Sequence, residues 1–338
     1  MGADLFSIGR SGLNVSKKML ETTGHNIANV NTEGYSRQRV TAATSEPIPE
    51  GHYVLGTGAN VSDVRRSHDD ILEKRFIKAT SNNAYFEERE VQLGRVENIF
   101  NEVSNEGLNK ILNKFFNSFR ELSNQPEDES VRNIVRENAR IVIKDMKRVK
   151  ETLNFIEDGI DQNMKLAVED INTLTKHIAK INIEMLSLEA GGGETGDLRD
   201  QRDLAVKELS KYFRLQTYAN DKGQYTVNVE NVGTLLSGGK VSELIASPTL
   251  QPGETNKERA PYEIYFKNRP SKSIGIPRNS GKIGAMLETR KVEIKNLKKE
   301  VDTIAYNLAK SVNAIHRRGY KNVKFPEDPD GNPVYTPD

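Results

Sequence analysis

Residues Leu153 to Leu188 read LNFIEDGIDQNMKLAVEDINTLTKHIAKINIEMLSL, with apolar or small side chains at Leu153, Ile156, Ile160, Ala167, Ile171, Leu174, Ile178, Ile181, Met185 and Leu188. Steps of three and four residues put these on one face of an α-helix. The rhythm is heptad, apart from an eleven-residue step between Ile160 and Ile171 that locally unwinds a left-handed supercoil. The helical signal runs from Ser130 to Gly191-Gly192-Gly193, where glycine disfavours helix and accepts left-handed conformations. A stripe this long requires partner helices, so the chain is predicted to be mainly α.

The matching stripe lies towards the C-terminus. After Asn279-Ser280-Gly281, heptads at Ile283, Leu287, Ile294, Leu297, Val301, Ile304, Leu308 and Ile315 predict a last long helix ending at Gly319. Paired with the first stripe it would make an antiparallel bundle, interrupted by what lies between. There, Asp197 is predicted to cap a shorter helix ending near Tyr212, with Asp200 completing an approximate capping box. From Leu215 the period falls to about two: Leu215 and Thr217, a turn at Asn220–Gly223, then Tyr225, Val227 and Val229. Further strands at Leu235-Leu236, Val241–Ile245 and Tyr262–Phe266 complete a small β unit over Leu215–Ile276.

Towards the N-terminus, Leu108–Leu122 carries Ile111, Leu112, Phe115, Phe116 and Phe119, a predicted knot of core before the Pro126 break. A long polar helix is predicted from Ser67-His68, with Asp69 and Asp70 where acids favour a helix start, to about Asn101. Thr41 to Asn60, rich in turn formers, reads as extended linker with a short hairpin. Before it lies SGLNVSKKMLETTGHNIANVNTEGYSRQR, Ser11 to Arg39. Leu5, Ile8, Gly12, Val15 and Met19 mark one helical face, with Leu13, Leu20 and Ile27 in a seven-residue row beside it. Three asparagines and Gly34 should end this helix, because asparagine side chains compete for backbone bonds and glycine tolerates positive φ.

Composition narrows the function. With 36% apolar residues, 29% charged and a mean hydropathy of -0.65, the 338-residue chain suits long helices with one buried stripe, and elongation is expected. Its 49 Lys+Arg balance 48 Asp+Glu, so neither nucleic acid nor a membrane surface has compositional support. Cysteine is absent, which removes disulfides, thiolate metal sites and cysteine nucleophiles together. His25, His52, His68, His177 and His316 are scattered without ligand spacing, and Asp328–Gly331 lacks the ligand pattern of a calcium loop. The Gly-rich stretches have no phosphate-loop context and no nucleophile elbow is present, so no catalytic residue, cofactor or metal site is predicted. Asp197, Asp200 and Asp203 alternate with Arg199 and Arg202, which favours a solvated, ion-paired helix start over an acidic catalytic cluster.

The run TTGHNIANVNTEGYSRQ resembles the N-terminal signature of the flagellar axial proteins: rod, hook and hook-associated. The segments Gly196–Lys211 and Ser280–Lys321 resemble the hook-associated branch that joins hook to filament. The resemblance assigns Asn26, Ile27, Asn29, Asn31, Thr32, Gly34, Tyr35, Ser36, Arg37 and Gln38 to the assembly signature, and Leu5, Ile8, Val15, Met19 and Leu20 to axial-helix packing. On residues alone, Tyr35 to Gln38 is an ordinary helix-terminating loop. An exposed aromatic followed by arginine and amide donors also suits a contact with a neighbouring subunit, and the resemblance favours that reading.

The expected organisation is therefore residues 1–40 as N-terminal axial helix and signature loop, 41–66 as extended linker, and 67–212 plus 279–320 as helical bundle. A small β subdomain over 213–278 and an irregular tail over 321–338 complete it. The resemblance implies a non-enzymatic structural protein, exported without a cleaved signal by the flagellar type III system, though the N-terminus read alone would suggest the cytoplasm. It implies an extracellular location in the flagellum at the hook–filament junction. Implied partners are neighbouring copies, hook protein, hook-associated protein 3, the export apparatus and a dedicated chaperone, with no nucleic acid and no membrane insertion. It also implies a terminal heptad helix that pairs with the N-terminal one. Nothing in the sequence matches that helix, so a truncated or unusually short chain is expected, its first helix without an intramolecular partner. A hook or rod protein, or a secreted adhesin or enzyme built on axial ends, is the alternative.

Overall fold

Asp69 starts the first long helix of the bundle as the sequence suggests, its Oδ1 accepting from Ile71 N at 2.9 Å and Leu72 N at 3.1 Å. The structure, a computed structural model, describes residues 5–50, 52–100, 107–220, 223–249 and 260–319. The predicted tail at 321–338 lies outside the described residues. In chain order the elements are α1 (Leu5–Ala28), β1 (Gln38–Thr44), β2 (Ile48–Glu50), β3 (Tyr53–Leu55), β4 (Ala59–Arg66), α2 (Asp70–Phe100), α3 (Leu108–Asn124), α4 (Glu129–Ala190) and α5 (Gly196–Ser210). There follow β5 (Leu215–Ala219), β6 (Tyr225–Val229), β7 (Gly233–Ser237), β8 (Lys240–Val241), β9 (Leu244–Pro248), β10 (Tyr262–Phe266), β11 (Arg269–Ser273), α6 (Gly281–Glu288) and α7 (Lys295–His316). The fold is mainly α, with small antiparallel sheets. It divides into two units, Met1–Arg89 with Asp161–Met286, and Glu90–Ile160 with Leu287–Asp338.

The second unit holds the expected pairing of the heptad helices. Ile111 and Phe115 of α3 and Val142 of α4 form a buried cluster, flanked by Leu112, Ala139, Met146, Leu308 and Val312. Lys150 of α4 donates to Asp302 of α7 at 2.9 Å, and Lys298 of α7 to Glu157 of α4 at 2.5 Å. Phe116 and Phe119 are exposed and meet the cluster through their rings, 5.5 Å and 5.0 Å from that of Phe115. The stripe on α7 also departs from the sequence reading, for Ile304 is 45% and Ile315 76% exposed. Ser311 breaks that row, and the apolar face continues instead through half-buried Ala305 and Val312. The last helix is not continuous α either: Thr289–Ile294 between α6 and α7 forms a π-helical segment, whose i→i+5 bonds take in an extra residue.

In the first unit, α4 buries Met164, Ile171, Ile178, Ile181 and Met185. Met164, fully buried, joins Ala167 within the eleven-residue step, so the buried row continues through it. The β unit makes two sheets, ordered β5-β6-β7-β8 and β11-β10-β9, and α4 holds each with an asparagine. Asn172 donates to Leu244 O at 2.8 Å and accepts from Leu244 N at 2.9 Å, standing in for a neighbouring strand. Fully buried Asn182 donates to Tyr225 O and Gly238 O and accepts from Tyr225 N. Edge strand β11 was not legible in the sequence; its Pro270 and Lys272 are typical of a protected edge.

Residues 41–66 contain more pairing than a linker with a short hairpin. The β2–β3 hairpin is there, but β1 and β4 also pair from Gln38↔Arg66 to Thr44↔Ala59. This ribbon lies against α1, so the first helix does have an intramolecular partner. Close approach depends on Gly58, at φ +114, where a Cβ would collide with Ser11 Oγ. That hydroxyl donates to Ile8 O at 2.7 Å and accepts from Ala59 N at 3.1 Å. Val15 and Thr22 are the buried residues of α1.

Candidate functional site

The end of α1 is organised by one asparagine. Asn26 donates to Gln38 O at 2.9 Å, and its Oδ1 accepts from Gln38 N at 2.9 Å and from the Tyr35 hydroxyl at 2.8 Å. The chain can fold back this sharply because Asn29 and Thr32 close a turn, with Thr32 N donating to Asn29 O at 2.9 Å, and Gly34 sits at φ +81. The Tyr35 ring meets His25 edge-on, and His25 Nδ1 lies 3.0 Å from the tyrosine hydroxyl. Tyr35 is thus half-buried against its own helix, not an exposed aromatic. Burial, then the charges of Asp197 and Asp200, push its pKa up.

The loop is then fastened to α5. Ser36 N donates to Asp200 Oδ2 at 2.8 Å, Gln38 Nε2 to Asp197 Oδ1 at 2.7 Å, and Lys207 pairs with Glu33 at 3.0 Å. From the end of β4, Arg66 Nη1 reaches both Asp200 Oδ1, at 2.5 Å, and Asp203 Oδ2, at 2.9 Å. Burial pulls the Arg66 pKa down, but the two carboxylates outweigh it and hold it above its usual value. Behind this, the Arg202 guanidinium stacks 3.4 Å from the centre of the Tyr225 ring and donates to Gly223 O at 2.8 Å. Burial, then Asp203, drives the Tyr225 hydroxyl up to about 12.

This corrects the reading of the α5 acids. Asp200, Asp203 and Arg202 are 6%, 9% and 1% exposed, so these three are ion-paired but not solvated, while Asp197 in the first turn stays exposed. Nor is there a capping box: Thr195 precedes the helix without a side-chain cap bond, and Asp200 spends its oxygens on Ser36 and Arg66. The partner cation stands 134 residues away in sequence, beyond any local pattern.

Of the predicted signature, Asn26, Tyr35, Ser36 and Gln38 converge on the clamp, while Asn29, Thr32 and Gly34 shape the turn. Ile27, Asn31 and Arg37 face outward. Of the packing residues, Val15 is buried and Ile8 half-buried, whereas Leu5, Met19 and Leu20 are 82%, 41% and 74% exposed. Leu13 and Ile27 are exposed as well, at 72% and 69%, so the seven-residue row of α1 is bare. Sequence reasoning misses His25 and Arg66 as members of this site, and reads Asp197, Asp200 and Asp203 as an ion-paired helix start without the clamp. Among the described residues no three His, Asp or Glu side chains gather as a metal site, and no helix is long and apolar enough to cross a membrane.

A rod-type N-terminal helix fastened to a helical body defines the class, and residues 6–35 match the family of flagella basal body rod proteins. Residues 93–327 match the flagellar hook-associated protein FlgK helical domain, and the chain belongs to that family. It is 28% identical over 337 residues to flagellar hook-associated protein 1 of Bacillus subtilis, covering 92% of this chain and 66% of that protein. It is 27% identical to the protein of the same name from Salmonella typhimurium, covering 98% and 58%. The chain thus spans about three fifths of the length of these relatives. Its fold is shared with the flagellar hook junction protein FlgK from Burkholderia pseudomallei, at a TM-score of 0.63 and 20% identity, over 78% of this chain and 46% of that one.

Proposed function

We propose that this chain is a structural component of the bacterial flagellum that joins hook to filament by self-assembly, without enzymatic activity. The observation that carries the reading is the division of α1: its end is clamped to α5 by Asn26, Tyr35, Ser36 and Gln38, while Leu13, Leu20 and Ile27 remain bare. A rigid mount holding an uncovered apolar row suits a helix that completes its packing against other helices during assembly. The signature residues then serve the subunit contact by fixing how the row is presented. Neighbouring copies, hook protein and hook-associated protein 3 are the proposed neighbours in the flagellum, reached by type III export with a dedicated chaperone.

Replacing Leu13, Leu20 and Ile27 together by serine, in cells that lack their own hook-associated protein 1, should leave hooks without filaments although the variant is exported. Normal filaments on those cells would defeat the reading. Because α1 buries only Val15 and Thr22, its amide hydrogens should exchange faster than those of α4 in the free protein and gain protection on assembly. Equal protection of α1 and α4 in the free chain would argue against packing that is completed only on assembly.

A further inference from the structure

The four-stranded sheet ends at β5, and among the described residues no strand pairs with it on its outer side. Glu230 N donates to Arg214 O at 3.0 Å and Asn220 N to Gln224 O at 2.9 Å, which fixes the alternation of the β5–β6 ladder. Gln216 and Tyr218 then bond inward to β6, and the N–H and C=O groups of Leu215, Thr217 and Ala219 point along the open edge. Beside this edge runs α2, and the two enclose a groove of about 320 Å³.

The groove has a definite chemistry. Its floor is apolar, with Ile77 at 4% and Leu215 at 6% exposure. On its rim, Arg214 is already engaged, with Asn82 Oδ1 at 2.7 Å and Glu230 at 3.4 Å. Lys74 and Lys78, one turn apart on α2, are exposed and have no ion-pair partner among the described residues. An open strand edge beside a helix, with an apolar floor and a basic rim, accepts an extended, partly apolar segment bearing negative charge.

The chain itself carries such a segment. At the β2–β3 hairpin, Tyr53, Val54, Leu55 and Ile48 are 79%, 68%, 42% and 47% exposed, and Glu46 beside them is exposed and without an ion-pair partner among the described residues. These two strands of three residues continue the β1–β4 ribbon, Ser45 N donating to Gly58 O at 2.9 Å and Thr57 Oγ1 to Glu46 O at 2.7 Å, and among the described residues no third strand pairs with them. None of their residues lines the groove of their own copy. We propose that the β2–β3 tip of one copy adds as a strand to the β5 edge of a second copy, with Tyr53–Leu55 over Ile77 and Leu215 and Glu46 against Lys74 and Lys78. This rests on the assembly reading above and adds to it a specific contact between copies.

Because the sequence has no cysteine, one introduced pair reports one contact. Full-length Tyr53→Cys and Tyr218→Cys proteins, mixed under mild oxidation, should form the mixed disulfide roughly tenfold faster than Tyr53→Cys mixed with Tyr306→Cys, because docking raises the local thiol concentration. Adding Lys74→Glu and Lys78→Glu to the Tyr218→Cys protein should remove the advantage, and adding Glu46→Lys to its partner should restore it. Circular dichroism confirms that each variant is folded. Equal rates for the two mixtures, or no recovery on reversing both charges, would overturn the proposal. Either result leaves the filament test standing, since Leu13, Leu20 and Ile27 take no part in the groove.

Discussion

The first helix and the second half of α4 carry apolar rows at the same seven-residue interval, yet they are held in opposite ways. In α4, Ile171, Ile178 and Met185 are at most 1% exposed. In α1, Leu13, Leu20 and Ile27 are at least 69% exposed, and the helix is fixed mainly by polar bonds at its end. One helix is held by dispersion and water exclusion, the other by a few directional contacts that leave its apolar row free. Periodicity reports that a stripe exists; whether the chain covers it depends on which element packs alongside.

If that contrast is right, the largest loss should come from Arg66, because its removal leaves buried Asp200 without its cation and Asp203 with only the longer contact to Arg202 at 3.7 Å. Arg66→Met should cost about 4 kcal/mol in urea unfolding and open α1 to trypsin at Lys17 and Lys18. Resistance equal to the parent's would mean that α1 does not depend on the clamp. Next, Ile178→Ala should cost about 3 kcal/mol through lost burial and a residual cavity, whereas Leu20→Ala should stay within about 0.5 kcal/mol. Equal costs at the two positions would erase the distinction between the rows. Asn26→Ala should cost about 2 kcal/mol, since it strands Gln38 N–H and Gln38 C=O and leaves the Tyr35 hydroxyl with His25 alone, and trypsin should again cut first within α1.

The smallest effect belongs to an exposed contact beside the α4 row. Lys176 and Lys267 hydrogen-bond Glu243 and hold its carboxyl at about 2, against 4.5 for the free group. A depressed carboxyl stabilises the folded state above its unfolded value and loses that contribution as pH falls from 4.5 towards 2. Glu243→Gln should flatten that part of the stability–pH curve and leave it unchanged near neutrality. An unaltered curve in that window would remove Glu243 from the contacts that matter.

Much of this was legible locally. The ends of α4, the Asp69 start of α2 and the change to a two-residue period at Leu215 all follow from short-range chemistry: glycine conformations, a carboxylate near free N–H groups, side chains alternating across a strand. In the site, the three asparagines and Gly34 announced the end of α1, and Asn26 and Gly34 do that work in the fold. The β1–β4 ladder stayed hidden because its strands are polar and mostly exposed, with no buried face to force alternation. The shift of the α7 seam to Ala305 and Val312 was hidden as well, since a row of isoleucines looks the same whether or not a neighbour covers it.

From its sequence alone this chain had its helices, their stripes and the sharp turn after Asn26, because propensity and hydrogen bonding within a few residues decide such features. Only the tertiary structure decided that Asp200 and Asp203 are buried under Arg66, that Asn182 holds Tyr225 and Gly238, and that the row Leu13, Leu20 and Ile27 is left bare. Each of those depends on groups tens to more than a hundred residues apart, or on the lack of a neighbour, and their energies arise from desolvation that exists only once distant segments have met.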